Sequence, residues 1–122
     1  TDPGEIDYVN AHGTSTPEND RMEYLSLAAV LGARIATTPV SSNKSMIGHT
    51  LSAAGAIEAI VSLLTIRDGC VPPTINLVDP DPEATGLDLT PNVAAALPVR
   101  AVLSNSFGFG GSNCSLVLGV AA

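Results

Sequence analysis

The two histidines of the 122-residue chain are the first candidates for chemistry. His12 follows a short apolar run and precedes Gly13, and His49 follows Gly48 at the start of a long apolar segment. Both positions are ends of predicted elements, where side chains of an α/β sheet reach a shared site. A neutral imidazole near a helix N-terminus can donate a hydrogen bond to a developing oxyanion. The alternative is two unrelated histidines; a zinc site is disfavoured, since no third ligand stands at metal spacing.

Lys44 and Glu58 are candidates for a buried ion pair. Glu58 is the only charged residue in the apolar stretch 51–66. An unpaired buried carboxylate is costly or becomes protonated. Lys44 precedes this stretch at a predicted strand end and could supply the counter-charge. In the alternative interpretation Glu58 reaches solvent at a wet edge and Lys44 is a surface cation.

The glycine-rich segment 108–113 (GFGGSN) is a third candidate. It matches neither the dinucleotide fingerprint nor the P-loop, because a strand rather than a helix is predicted to follow it. Its glycines let backbone N–H groups approach a ligand, and Phe109 between them suits a mobile apolar gate. The alternative is a plain hairpin turn. Cys114 alternates with Leu116 and Leu118 beyond this segment, which predicts a buried strand thiol rather than a nucleophile.

Strands and helices alternate along the chain, which predicts an α/β fold. Strands are predicted at residues 6–9, 37–42, 99–104 and 115–120, with a short edge strand at 87–89. A first helix should begin at Thr16 and Pro17 and end at Gly32. Its predicted apolar face is Met22, Leu25, Ala28 and Ala29.

A second helix is predicted over residues 50–68. It is apolar on nearly all sides, which predicts burial in a larger core. The exceptions form one stripe of small or polar residues, along which another backbone could approach closely: Ser52, Gly55, Glu58, Ser62 and Thr65.

Composition excludes several classes of protein. Twelve acidic and five basic residues give a net charge of -7, which argues against a nucleic-acid binder. No apolar stretch is long enough for a membrane span, no signal peptide opens the chain, and two cysteines make no disulfide framework. We therefore expect a cytoplasmic protein. Charged residues make up only 14% of the chain, which indicates a part of something larger.

Four motifs together resemble the C-terminal part of the β-ketoacyl-[acyl-carrier-protein] synthases. They are NAHGTST at 10–16, NKSMIGHTLSAAGAIE at 43–58, PPTINL at 72–77 and SNSFGFGGSN at 104–113. The Thr-Ser-Thr of the first motif is more similar to the dissociated fatty-acid elongation enzymes than to modular polyketide synthases. The resemblance implies an α/β, thiolase-like fold with α-β-α-β-α layers, of which this chain would be most of the C-terminal half.

The resemblance also implies a reaction: decarboxylative Claisen condensation of an acyl thioester with malonyl-carrier protein in fatty-acid biosynthesis. His12 and His49 would stabilise the enolate oxygen of the malonyl thioester. Lys44 would be the lysine of the family, held by Glu58.

Substrate contacts follow from the same resemblance. Thr14 and Thr16 would hydrogen-bond the phosphopantetheine arm of the carrier protein. Phe109 would gate the pocket, and its backbone N–H would be one donor of the oxyanion hole. No metal and no further cofactor is implied, because the substrates are carried on the phosphopantetheine of acyl carrier protein.

One part of the family pattern is missing. The nucleophilic cysteine of the family lies in the N-terminal half, and neither Cys70 nor Cys114 occupies its motif. We expect residues 1–122 to be an incomplete C-terminal β-ketoacyl synthase region that is inactive alone.

The expected partners are acyl carrier protein, the missing half and, in the complete enzyme, a second copy in a homodimer. The alternatives are a polyketide ketosynthase or a non-catalytic subunit that resembles a chain-length factor. The presence of both histidines and the lysine favours the catalytic form.

Overall fold

A computed structural model describes residues 2–84 and 86–121 of the chain. Its helices are α1 (Pro17–Leu31), α2 (Lys44–Ile47) and α3 (Ala54–Asp68). Its strands are β1 (Tyr8–Asn10), β2 (Val40–Ser41), β3 (Cys70–Val71), β4 (Ala95–Ala96), β5 (Ala101–Ser106) and β6 (Cys114–Gly119). None of the helices within these residues has the length and hydropathy needed to cross a bilayer.

Four of the strands form one mixed sheet in the order β2-β1-β5-β6. β1 is parallel to both β2 and β5, with Val9 opposite Val40 on one side and Leu103 on the other. β6 returns antiparallel to β5, and β3 and β4 form a separate antiparallel pair. The carboxyl ends of β1, β2 and β5 therefore lie at one edge, where the chain leaves each strand towards a candidate site residue.

The two faces of the sheet carry different cores, because side chains alternate along each strand. Val9 and Val40 pack with Leu27 and Leu31 of α1 on one face. Tyr8 lies on the other face in a cluster with residues of β3 and β5. The helices α1 and α3 thus enclose the sheet from opposite sides, as an α/β layered fold requires.

The limits of α1 agree with the prediction, but its buried face does not. Thr16 is the N-cap residue and Gly32, at φ 56°, ends the helix. Met22 and Leu25 were expected on the apolar face, yet both are exposed. The buried positions are spaced by four residues and begin with a carboxylate: Glu23, Leu27 and Leu31. The prediction of the buried face was wrong because it assumed that a charged residue such as Glu23 must be exposed to solvent.

The burial of α3 is also the reverse of what hydropathy suggests. Its limits agree with the prediction apart from a 3-10 turn, Leu51–Ala53, that precedes it. The side that faces the sheet is the polar stripe, where Glu58, Ser62 and Thr65 are buried. Leu63 is 51% exposed on the opposite side. Small polar groups let the helix approach β5 closely, so the stripe is the packing surface within this chain.

Other predictions need smaller corrections. The strand expected over 37–42 is shortened to β2, because Pro39 interrupts the backbone donors before it. The edge strand expected over 87–89 is reduced to a single bridge between Pro39 and Asp88. Cys114 is exposed rather than buried, because β6 is the outer strand of the sheet and most of its residues are open to solvent.

Candidate active site

The two histidines meet at the edge formed by the strand ends. His12 lies two residues beyond β1, and His49 follows Gly48, which ends α2 at φ 74°. Their ring centroids are 5.5 Å apart with the planes at 88°, an edge-to-face contact. His12 is 7% exposed, whereas His49 is open to solvent. The structure therefore brings the two histidines together, as their positions in the sequence led us to expect.

His12 lies in an environment that favours its neutral form. Burial lowers the pKa of His12 to about 4, and the positive charge of Lys44 and the neighbouring His49 act in the same direction. Asp20 opposes the shift. The Nδ1 atom of His12 is buried without a hydrogen-bond partner in the part of the chain described. At neutral pH this imidazole is uncharged and can exchange a proton with a ligand.

A backbone donor fixes the tautomer of His49. The N–H of Leu51 donates to Nδ1 of His49 at 3.1 Å, so the neutral ring carries its proton on Nε2. Leu51 has φ 53°, in the left-handed region that a non-glycine residue adopts at some cost. This conformation turns the N–H back towards the imidazole. In this tautomer the Nε2–H of His49 is the ring donor available to a ligand.

Lys44 and Glu58 form the buried ion pair that the sequence predicted. Nζ of Lys44 bonds Oε1 of Glu58, and the two side chains are 5% and 3% exposed. Lys44 is the first residue of α2, and Glu58 lies in the second turn of α3. The other carboxylate oxygen of Glu58 is buried without a partner among the described residues. The pair puts a fixed positive group beside His12 while keeping the local net charge near zero.

A buried amide network ties the elements of the site together. Nδ2 of Asn10 donates to the carbonyl oxygen of Glu58 at 3.1 Å and to Oγ of Ser62 at 3.2 Å. Oδ1 of Asn10 accepts from Nδ2 of Asn43, the residue before Lys44, at 3.3 Å. β1, α2 and α3 are thus held by one asparagine, and sequence reasoning did not identify it. The one sequence feature that could have indicated Asn10 is that it is an amide side chain at the carboxyl end of a buried strand.

Glu23 holds the backbone that carries His12, and it was also missed. Its Oε1 accepts the N–H of His12 and its Oε2 the N–H of Gly13, each at 2.9 Å. Nδ2 of Asn105, on β5, donates to Oε1 at 3.1 Å. Glu23 is 4% exposed, so these donors replace water around its charge. The sequence feature that could have indicated it is its position four and eight residues before the buried Leu27 and Leu31, which places it on the same face of α1.

The hydroxyls expected to bind substrate line an open groove. Thr14 and Thr16 lie in a groove of about 760 Å³ whose walls also include Lys44 and His49. Their Oγ1 atoms are 3.3 Å apart. The groove therefore leads from solvent past two hydroxyls to the exposed histidine.

Phe109 is not in contact with the histidines. Its side chain is fully exposed in a turn where Gly110 and Gly111 have φ 76° and 81°. The aromatic contact to His12 comes from Phe107, whose ring centroid lies 5.7 Å from that of the imidazole. No group of three or more His, Cys, Asp or Glu side chains within 2–84 and 86–121 is arranged to hold a metal ion.

Solved structures with this fold define the class of protein. The ishigamide ketosynthase/chain length factor superposes on 98% of this chain with a TM-score of 0.91 at 42% identity, using 29% of its own chain. A β-ketoacyl synthase from Burkholderia phymatum gives a TM-score of 0.91 at 41% identity, covering 99% of this chain and 29% of its own. The fold is that of the thiolase-like ketosynthases, and this chain corresponds to one part of it.

Sequence comparison then gives the family. Residues 1–78 match the description "Beta-ketoacyl synthase, C-terminal domain", and the chain belongs to the β-ketoacyl synthase family. It is 52% identical over 116 residues to 3-oxoacyl-[acyl-carrier-protein] synthase 2 of Coxiella burnetii, covering 95% of this chain and 28% of that protein. It is 47% identical over 112 residues to nodulation protein E of Rhizobium sp. strain N33, covering 92% and 28%. The chain thus spans little more than a quarter of these relatives.

Proposed function

We propose that this chain is the histidine-bearing part of a 3-oxoacyl-[acyl-carrier-protein] synthase, an acyltransferase of fatty-acid biosynthesis. The observation that supports this most is the contact of His12 and His49 beside the buried Lys44–Glu58 pair. Two imidazole rings in edge-to-face contact can donate N–H groups to an oxyanion that forms during reaction. The similarity to 3-oxoacyl-[acyl-carrier-protein] synthases of several bacteria supports the substrate class.

The proposed reaction is a decarboxylative condensation. The bond from the malonyl α-carbon to its carboxylate breaks, carbon dioxide leaves, and the electron pair moves to the thioester oxygen as an enolate. His12 and His49 donate N–H groups to that oxygen, and burial, assisted by the positive charge of Lys44, keeps His12 uncharged. The α-carbon then attacks an enzyme-bound acyl thioester, and the cysteine thiolate departs.

The acyl-carrying cysteine is proposed to lie outside these 122 residues, so that they form an incomplete catalytic unit. Cys70 and Cys114 are both exposed, and neither lies beside the histidines in the sheet order. The relatives are more than three times as long as this chain, which leaves room for a segment that supplies the nucleophile. We therefore propose that the chain alone does not catalyse condensation.

Substrates would arrive on acyl carrier protein. We assign Thr14 and Thr16 to the phosphopantetheine arm, because their hydroxyls line the groove that leads to His49. Phe109 is assigned as a gate whose backbone N–H also serves the oxyanion hole, and its fully exposed side chain has space to change position. One solved neighbour is described as a ketosynthase in complex with its acyl-carrier protein, at 39% identity. A cytoplasmic homodimer without further cofactor completes the proposal.

Two experiments test these points separately. Residues 1–122 are first incubated with an acyl-carrier thioester and their intact mass is measured. We expect no stable acyl adduct; an adduct that is needed for turnover and disappears in Cys70→Ser or Cys114→Ser would refute the missing-nucleophile proposal.

The second experiment places the chain in a chimera, where it replaces the matching 28% of the Coxiella burnetii relative. We expect malonyl-carrier decarboxylation that His12→Ala and His49→Ala each reduce by at least about 100-fold. Val93→Ala, at an exposed loop position, is the matched control. Full activity in both histidine variants would overturn the assignment.

The alternative is a polyketide ketosynthase or a non-catalytic chain-length-factor-like subunit. Several solved neighbours are described as ketosynthases paired with chain length factors, and this supports the alternative. The same chimera separates the classes. Extension of saturated acyl thioesters supports fatty-acid synthesis, extension of β-ketoacyl thioesters supports a polyketide enzyme, and no decarboxylation supports the non-catalytic subunit.

A further inference from the structure

The ring that covers His12 belongs to a residue without a role in the site so far. Phe107 lies one residue beyond β5, and His12 lies two residues beyond β1. These strands are parallel neighbours with Asn10 opposite Ser104, so both residues leave the sheet at the same edge. The phenyl and imidazole centroids are 5.7 Å apart with a tilt of 53°.

We propose that Phe107 is a positioning residue for His12: its ring packs on the imidazole, excludes water from it and so fixes both its orientation and its uncharged form. The proposal rests on the function proposed for His12. Three observations support it. His12 is 7% exposed, its Nδ1 is buried without a hydrogen-bond partner among the described residues, and the only aromatic rings found against it there are those of His49 and Phe107.

The charged groups around His12 do not account for its state by themselves. Lys44 of α2 disfavours the imidazolium, while Asp20 of α1 favours it. The carboxylate of Glu23 accepts the backbone N–H of His12 and is compensated by further donors. With charges acting in both directions, burial is the largest cause of the lowered pKa. Phe107, one residue beyond β5, packs its ring against the imidazole and so contributes to that burial.

A competing effect acts with the opposite sign. A phenyl face within about 6 Å of a cation can stabilise that cation. If this cation–π effect dominated, removal of the ring would make His12 harder to protonate. If exclusion of water dominates, as we propose, removal of the ring makes protonation easier, because solvent reaches the imidazolium. The sign of one titration shift therefore distinguishes the two.

The test is a pH titration of the imidazole carbon signals by NMR in the 122-residue chain. The chain contains two histidines, and the His49→Gln variant assigns their signals. We expect Phe107→Leu to raise the titration midpoint of His12 by about one pH unit. Phe107→Tyr, which keeps the ring, should leave the midpoint within a few tenths of a unit of the original.

Phe109→Leu is the matched control, since it makes the same change at the exposed phenylalanine of the same loop. An equal shift in Phe107→Leu and Phe109→Leu, no shift, or a downward shift in Phe107→Leu overturns the proposal. Circular dichroism melts confirm that each variant is folded, and Phe107→Met replaces Phe107→Leu if the latter melts below the measuring temperature. The titration needs no turnover, so an inactive chimera with a raised His12 midpoint would count against the proposed function alone.

Discussion

At the scale of single residues, the buried ion pair has the largest energetic consequence. Lys44→Met leaves the carboxyl group of Glu58 without its partner in a site with almost no solvent. We expect this variant to lose about 3–5 kcal/mol of unfolding free energy, because the desolvation cost remains while the attraction is gone. Urea denaturation measures the loss.

The double variant Lys44→Met, Glu58→Leu is the control for this prediction. It removes both charges, so most of the stability should return. In the chimera proposed above it should remain inactive, because Lys44 is also the positive neighbour of His12. Equal stability of the single and double variants would contradict the prediction.

The lowered pKa of His12 makes stability depend on pH. This pKa is about 4 in the folded chain, against the ordinary histidine value of 6.5 expected once the chain unfolds. The unfolded chain therefore binds a proton between these values while the folded chain does not, so stability falls as the pH drops through this window. Relative to His12→Asn, the original chain should lose about 2–3 kcal/mol between pH 7 and pH 4. Guanidinium melts of both chains, at matched ionic strength, measure the difference.

Glu23 provides a residue prediction with a close control. Glu23→Gln replaces one acceptor oxygen with an NH₂ group, which cannot accept the backbone N–H of His12 or Gly13. A buried donor left without a partner costs about 1–3 kcal/mol. Glu18→Gln makes the same change at an exposed position of the first turn and should cost less than about 1 kcal/mol. Equal costs would show that the carboxylate does not hold the loop.

The sequence predicted those site residues that stood out from their surroundings, and the structure brings them together. His12, His49 and Lys44 stood out at the ends of predicted elements, and Glu58 stood out as the only charged residue in an apolar segment. Glu23 did not, because a carboxylate on a helix is normally assigned to the solvent side. Its burial depends on backbone donors from a loop eleven residues away and on an amide from β5, and neither is visible in local spacing.

At the scale of elements, α3 gives a prediction that opposes its hydropathy. Ser62→Leu places a larger side chain against the sheet and removes one acceptor of Asn10. We expect a loss of about 1–3 kcal/mol from overpacking. Leu63→Ser lies on the open side of the same helix and should change stability by less than about 0.5 kcal/mol. Chemical denaturation of the two variants should give this order, and the reverse order would contradict the packing described.

The helix ends that carry local signals were predictable, and the buried faces of the helices were not. Thr16, Pro17 and Gly32 locate the two ends of α1, and Gly69 locates the carboxyl end of α3. The inward faces depend on which residues of the sheet they meet. A central strand that presents Asn10 to α3 selects polar partners such as Ser62, and hydrophobic periodicity carries no information about such pairs.

At the scale of the whole molecule, the exposed apolar surface predicts association. Ile60 and Leu63 of α3 and Leu116 and Val117 of β6 are each at least 43% exposed. Large apolar side chains are thus exposed on both α3 and β6, and exposed apolar surface favours association. We expect the isolated chain to self-associate at micromolar concentration, as measured by sedimentation velocity. Leu63→Lys with Val117→Lys should shift it towards monomer, and an unchanged distribution would show that other surfaces drive association.

The pairing of β1 with β5 determines when the site can form during synthesis. Tyr8 lies opposite Val102, so a strand near the beginning of the chain has its central partner close to the end. Contacts between such distant segments form slowly, because the chain loses the entropy of closing a long loop before the contacts contribute any stabilising free energy. A nascent chain that has emerged only as far as α3 already contains both histidines but lacks β5 and Phe107. Residues as far as Phe107 must therefore leave the ribosome before the imidazole of His12 is enclosed.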